Sequence, residues 1–158
     1  MSTYLSLWNT ISQRVASARS IGNIENTPLG VRRSLTPEET QLMLRVLQIF
    51  ILENILHKHR RKHGTLMEPL PGSKALDHKI FMKTNWTFNE IRSMSLEDKL
   101  LVLHDEIEVI NLSVEAQRFI AEQSLPDISI TFEDFRPEEW NHVENKIFLD
   151  LLQIDYSQ

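Results

Sequence analysis

One segment, residues 36–62, restricts the folds open to this chain more than any other. Thr36 can cap a helix and Glu39 completes a capping box, so a helix is expected to begin here. Gly64 is a typical helix stop just beyond the segment. Between residues 42 and 56 the few polar side chains point in scattered directions and leave no polar face. Because a helix that is apolar on all sides has to be enclosed, we predict that this segment is the central helix of the fold.

Helical spacing of apolar residues recurs in three other stretches. It predicts helices over residues 2–18, 95–123 and 137–154. The second of these either runs on continuously or restarts at Ser113. Only four Gly and six Pro among 158 residues argue against a turn-rich β fold. We therefore predict a mainly α-helical single domain, residues 1–158, built as a bundle of about four main helices around the helix over 36–62.

The stretch between the first two helices has a different composition. Residues 20–35 contain Gly22, Pro28 and Gly30, which interrupt regular structure. We predict that this stretch is a flexible connector after an N-terminal helix.

The clearest strand pattern lies at residues 127–132, where Ile128, Ile130 and Phe132 alternate with polar residues. A lone strand cannot satisfy its backbone hydrogen-bonding groups, so it needs a partner. Residues 79–84, which can also form part of a short helix, are one candidate, and a second copy of the chain is another. The sequence thus predicts either a small β-ribbon or a single strand near 127–132.

Charge divides the chain into two halves. Residues 1–89 hold twelve Lys and Arg against six Asp and Glu, whereas residues 90–158 hold five against sixteen. The two halves therefore carry net charges of +6 and −11, in agreement with the overall −5. Such asymmetry predicts either a charged partner or docking of one half on the other.

The positive charge is densest in residues 57–63, which we call the basic run. Its permanent cations are Lys58, Arg60, Arg61 and Lys62. Together with Arg32 and Arg33 they form the candidate site for an anionic partner, with nucleic acid as one alternative. A simpler interpretation is a solvated helix end, because cations offset the partial negative charge of C-terminal carbonyls.

The acidic half offers a second candidate surface. It consists of Glu106, Glu108, Glu115 and Glu122, the last three of which recur every seven residues. An acidic helix face of this kind is expected to bind a cationic partner, or else to pack against the basic half of the same chain.

No enzyme motif is present in the sequence. It lacks Cys, a Walker sequence, a Gly-rich dinucleotide loop and the G-x-S-x-G nucleophile motif. His59 and His63 have the spacing of helical zinc ligands, but no third ligand is obvious nearby and the neighbouring cations would repel a metal ion. We predict no catalytic residues, no metal and no cofactor.

These observations favour a non-enzymatic interaction protein, such as a regulator, adaptor, chaperone or inhibitor, that acts through helical and charged surfaces. Its expected partner is another protein or a second copy of itself. A nucleic-acid-binding regulator that uses the basic run is the alternative. No membrane span is predicted, and the expected location is cytoplasmic. The acid-poor, Ser- and Arg-containing residues 1–24 leave organelle targeting as the other possibility.

Overall fold

The computed structural model describes residues 2–21 and 35–152 and is mainly helical. Its α-helices are α1 (Thr3–Ala18), α2 (Pro37–His63), α3 (Ser73–Thr84), α4 (Phe88–Ser93), α5 (Leu96–Val102), α6 (Val114–Ala121) and α7 (His142–Leu151). Two single turns of 3-10 helix lie at Val109–Asn111 and Pro137–Glu139. None of the helices in the described ranges is both long and apolar enough to cross a membrane.

Helix α2 begins and ends close to the positions expected from the sequence. The Thr36 hydroxyl accepts a hydrogen bond from the Glu39 amide at 3.1 Å, and the Glu39 carboxylate accepts one from the Thr36 amide at 3.4 Å. Helices α1, α3 and α7 pack against α2. Even Arg45, Glu53 and Asn54 of α2 are buried, as the absence of a polar face requires.

The core between α1, α2 and α6 is rich in aromatic side chains. The Phe50 ring of α2 lies 5.4 Å from the Phe119 ring of α6 and 5.5 Å from the Trp8 ring of α1, measured between centroids. Tyr4 lies 5.8 Å from the Phe119 ring and 5.9 Å from the Phe50 ring. These contacts explain why the apolar stripe of the first segment forms a helix that lies on the core.

Of the two alternatives for residues 95–123, the continuous helix is wrong and the restart at Ser113 is confirmed. Helix α5 ends at Val102, and α6 begins at Val114 with Ser113 as its cap. Lys83 of α3 caps the end of α5: its ammonium group donates to the Val102 carbonyl at 2.9 Å and to the Asp105 carboxylate at 2.5 Å. This contact satisfies a carbonyl that a longer helix would have paired within itself.

The strand predicted near 127–132 is also wrong, since residues 35–152 contain no β-strand. Its proposed partner, residues 79–84, is the C-terminal part of α3. Ile128 remains 61% exposed, and Phe132 packs under the Arg19 guanidinium with 4.1 Å between the guanidinium carbon and the ring centroid. The alternating pattern thus belongs to an irregular segment without a pairing partner.

The last helix starts later than expected. Residues 137–139 form the second 3-10 turn, and α7 begins only at His142 behind an Asn141 cap.

The predicted connector, residues 20–35, lies outside the described residues except for its ends at Ser20, Ile21 and Leu35.

A tight contact joins the loop before α3 to α7. Gly72 has a φ of +59°, a region that favours glycine. A Cβ atom added at Gly72 would lie 2.6 Å from Cε1 of the His142 ring. The loop therefore passes so close to α7 that only glycine fits.

Candidate functional site

The basic run lies at the C-terminal end of α2, but its members have different surroundings. Arg60 is turned inward: its guanidinium donates to the carbonyls of Leu70 at 2.9 Å and Gly72 at 2.8 Å. Burial lowers the pKa of Arg60 from its ordinary value, although an arginine stays charged at neutral pH. Arg60 thus holds the loop before α3 rather than facing solvent.

The other three cations of the run, Lys58, Arg61 and Lys62, are exposed. No ion pair of Arg61 or Lys62 occurs among residues 2–21 and 35–152. Arg32 and Arg33, which were grouped with the run, lie outside the described residues. The exposed part of the candidate cationic site is therefore smaller than the sequence indicates.

His59 and His63 of the run lie close to the ring of His78, a residue that the sequence did not single out. His78 of α3 forms a hydrogen bond with His59, 2.8 Å between Nδ1 and Nε2, and its centroid lies 5.6 Å from that of His63. Burial, followed by the positive charge of Lys79, lowers the pKa of His59 to about 3. No group of three or more His, Cys, Asp or Glu within the described ranges is arranged to hold a metal ion.

The predicted acidic residues do not form one surface. Glu106 is paired with Lys79 at 3.2 Å and with Lys83 at 3.5 Å, both of α3. Glu108 precedes the first 3-10 turn, whereas Glu115 and Glu122 lie at the start and the end of α6. The seven-residue recurrence does not place these carboxylates on one helix face, because the helix that would have aligned them is interrupted.

Ion pairs connect the positive and negative halves of the chain. Besides the pairs of Glu106, they include Arg14 with Glu144, Arg19 with Asp134 and Glu139, Arg45 with Glu139, Lys83 with Asp105, and Lys99 with Asp77. Much of the charge asymmetry is therefore used within the molecule. None of these pairs involves Arg61 or Lys62.

An open groove of about 950 Å³ lies between α2, α5 and residues 126–135. We call it the α2–α5 groove. Its apolar floor is formed by Leu44, Leu47, Ile51, Leu100, Leu101 and Ile128. Leu101 and Ile128 are 65% and 61% exposed, whereas Ile51 and Leu100 are only 3% exposed. The part of the floor that the described residues leave uncovered is therefore the part around Leu101 and Ile128.

Comparison with family models, curated proteins and solved structures gave no match. The groove is therefore interpreted from its own chemistry.

Carboxylates surround the groove on several sides. Its rim carries Glu97, Asp98, Glu108, Asp127, Glu133 and Asp134. Asp134 is paired with Arg19 at 2.7 Å, whereas the other five have no ion pair within residues 2–21 and 35–152. Exposed carboxylates that are not neutralised give the groove a negative potential.

Arg45 is the one permanent cation that lines the groove within the described ranges, and it is already engaged. It donates to the Glu139 carboxylate at 2.6 Å and to the Asp134 carbonyl at 2.8 Å. Its guanidinium also lies over the Phe135 ring, 4.4 Å from the centroid. Arg45 therefore holds the wall of the groove in place and does not neutralise the rim.

Arg19 fixes the same wall from α1. Its Nε donates to Glu139 Oε1 at 2.7 Å, and its Nη2 donates to the Asp134 carbonyl at 2.9 Å. The Glu139 side chain is fully buried between the two arginines. This buried network attaches the irregular residues 132–139 to both long helices.

Of the four residues that the sequence grouped into an acidic surface, only Glu108 lies on the rim of the groove. Glu97 and Asp98 follow the Ser95 cap and are typical first-turn acids of a helix. Asp127 was assigned to a strand. The signal that could have located the groove was the exposed apolar pair Leu101 and Ile128, but their exposure depends on the end of α5 and on the irregular segment.

Proposed function

We propose that this protein is a non-enzymatic interaction module that binds another protein in the α2–α5 groove. The observation that carries the proposal is the exposed apolar surface in this groove. It is formed by Leu101 of α5 and by Ile128 of the irregular segment. Exposed apolar surface rimmed by polar groups is typical of protein-binding sites. The proposed setting is cytoplasmic, which suits a chain without Cys.

The proposal includes α2 as the central helix of a helical bundle. Support comes from the burial of its apolar side chains within a single chain and from the packing of α1, α3 and α7 around it. One face of α2, near Leu44 and Leu47, contributes to the groove instead. A docked partner would complete the enclosure of that face.

Panning the full chain against a displayed library of random peptides tests the function. We expect enriched peptides whose affinity falls about tenfold or more when Leu101 is changed to Asp, because a carboxylate in the apolar floor has to be desolvated on binding. Leu66→Asp is the matched control, since Leu66 is fully exposed and lies away from the groove. Its effect is expected to stay within about twofold.

The proposal fails if no enriched peptide depends on Leu101. It also fails if Leu66→Asp weakens the binding of every peptide as much as Leu101→Asp does. Both variants alter exposed residues, so circular dichroism of each is expected to match that of the unmodified protein.

A nucleic-acid-binding regulator is the second candidate, favoured by the exposed Arg61 and Lys62 at the end of α2. Binding of a DNA or RNA duplex at low salt, lost in an Arg61→Glu, Lys62→Glu variant and kept in a Lys146→Glu control, would support it. Arg60 is left unchanged because it holds the loop before α3. Absence of duplex binding at low salt removes this candidate.

A further inference from the structure

The charge of the α2–α5 groove specifies the kind of partner. We propose that the groove binds a cationic amphipathic helix of another protein, with apolar side chains on the floor and Lys or Arg side chains at the acidic rim. This inference rests on the proposed function and adds the chemistry of the partner to it.

The shape of the floor favours a helix. Leu44 and Leu47 of α2 line one side, Leu101 of α5 lines the other, and Ile128 flanks them. Ile51 and Leu100 also border the groove but are buried. A hydrophobic trough between two helices is the surface on which an amphipathic helix lays residues spaced i, i+3, i+4 and i+7.

The positions of the carboxylates favour cations on both flanks of that helix. Glu97 and Asp98 stand on the first turn of α5, whereas Asp127 and Glu133 stand on the irregular segment across the groove. All four are exposed. An acidic partner would be repelled from both walls, and a neutral one would gain nothing from them.

The wall that carries the second pair of carboxylates is held independently of any partner. Gln41 of α2 donates to the Thr131 carbonyl at 3.2 Å, and Arg45 and Arg19 hold Asp134 and Glu139. The backbone on both sides of Glu133 is therefore held before binding, which lowers the ordering cost of association.

Three synthetic helical peptides of about eighteen residues test the inference against the full chain. They share the same Leu positions and carry Lys, Gln or Glu at the flanking positions. We expect the Leu/Lys peptide to bind about tenfold or more tightly than the Leu/Gln peptide and the Leu/Glu peptide not to bind. The advantage of the Leu/Lys peptide is expected to shrink with increasing salt.

A charge-matched pair of variants locates the effect. Asp127→Asn with Glu133→Gln is expected to weaken binding of the Leu/Lys peptide about three- to tenfold. Glu115→Gln with Glu122→Gln removes the same charge from exposed residues outside the groove and is expected to leave the affinity within about twofold. An equal loss in both variants would indicate unspecific attraction and overturn the inference.

The outcomes separate this inference from the proposed function. If the Leu/Gln peptide binds as well as the Leu/Lys peptide and both depend on Leu101, the groove binds proteins but its partner is not cationic. If no library or synthetic peptide depends on Leu101, both proposals fail. If light scattering gives a dimer that Leu101→Asp dissociates, a second copy occupies the groove and the inference is overturned.

Discussion

Glu53 is a carboxyl group in a fully buried position, and its surroundings couple the stability of the protein to pH. The Trp140 indole donates to its Oε1, and its side chain is 0% exposed. Burial raises the pKa of Glu53 to about 7, although the Trp140 hydrogen bond and the charge of Arg60 act in the opposite direction. The group is thus protonated in the folded protein over a range in which an unfolded chain would have released the proton.

The sign of this effect gives a first prediction. Because the folded-state pKa lies above the ordinary value of 4.5, the stabilising contribution is present below pH 4.5 and is lost as the pH rises through 7. Glu53→Gln, which keeps an acceptor for Trp140, is expected to remove this loss. The variant should gain up to about 3 kcal/mol over the parent between pH 5 and pH 8, measured by urea denaturation. Parallel pH profiles of the two proteins would contradict the prediction.

His59 produces the opposite pH dependence. Its pKa is lowered to about 3 by burial and by the nearby charges of Lys79, His63, His78 and Arg60. The unfolded chain therefore takes up a proton near pH 6.5 that the folded protein does not accept, so stability is present above that pH and falls below it.

A second prediction follows for the acid side. Between pH 6.5 and pH 5 the parent is expected to lose about 2 kcal/mol through His59, and His59→Gln should reduce that loss. His104→Gln is the matched control, since His104 is exposed and bonds only to the Leu101 carbonyl at 2.8 Å within the described ranges. Urea denaturation at several pH values measures the effect, and an equal acid response in parent and His59→Gln would disprove it.

At the scale of elements, one buried carboxylate holds the wall of the groove. Glu139 accepts from Arg19 and Arg45 and also from the Arg136 amide at 2.9 Å. Removing one member of a buried ionic network leaves the remaining charges desolvated without compensation. The second 3-10 turn and the residues around it thus depend on this single side chain.

We therefore expect Glu139→Gln to lower the free energy of unfolding by about 3–5 kcal/mol. Glu138→Gln, a neighbouring exposed position, is expected to change it by less than about 0.5 kcal/mol. Chemical denaturation of both variants provides the measurement. Similar values for the two substitutions would mean that the network contributes little to stability.

Which elements the sequence could predict depends on where their boundaries are determined. The capping box at Thr36 is local, so α2 begins where that residue indicates. At the end of α5 the Val102 carbonyl is paired with Lys83 of another helix, a contact that the residues around Val102 do not indicate. The alternation at 127–132 resembles a strand locally, but a strand needs a partner and the described residues provide none.

The candidate site was harder to predict for the same reason. The chemistry of the rim, acidic residues beside apolar ones, is visible in the sequence. Its location is not, because it depends on the break after Val102 and on the buried bonds of Arg45. Arg60 shows the converse: its charge predicts a surface residue, whereas the carbonyls of Leu70 and Gly72 draw it inward.

At the scale of the whole molecule, opposite charges hold the two halves of the chain together. Arg14, Arg19 and Arg45 of the positive half pair with acids of the last fifty residues, and Lys79 and Lys83 pair with Asp105 and Glu106. The more exposed of these pairs contribute little individually, whereas the two pairs of Glu139 are buried. Because each of these pairs joins a cation of the positive half to an acid of the negative half, together they still favour docking of one half on the other.

The burial of many apolar side chains of α2 within one chain gives a prediction for the assembly state. Leu42, Phe50, Leu52 and Leu56 of α2 are all buried without a second copy, so the apolar helix does not require a dimer. We expect light scattering at micromolar concentration to give the mass of a single chain, 18.5 kDa. A stable dimer would contradict this expectation.

The close approach of Gly72 to His142 bears on how such a chain can diverge. Two constraints act at position 72: the positive φ disfavours any L side chain, and the imidazole ring fills the space that a Cβ would need. Only the second can be relieved by a change elsewhere. A smaller residue at position 142 can arise while Gly72 stays, but the reverse order passes through a collision. Related sequences are therefore expected to have lost the histidine before they lose the glycine.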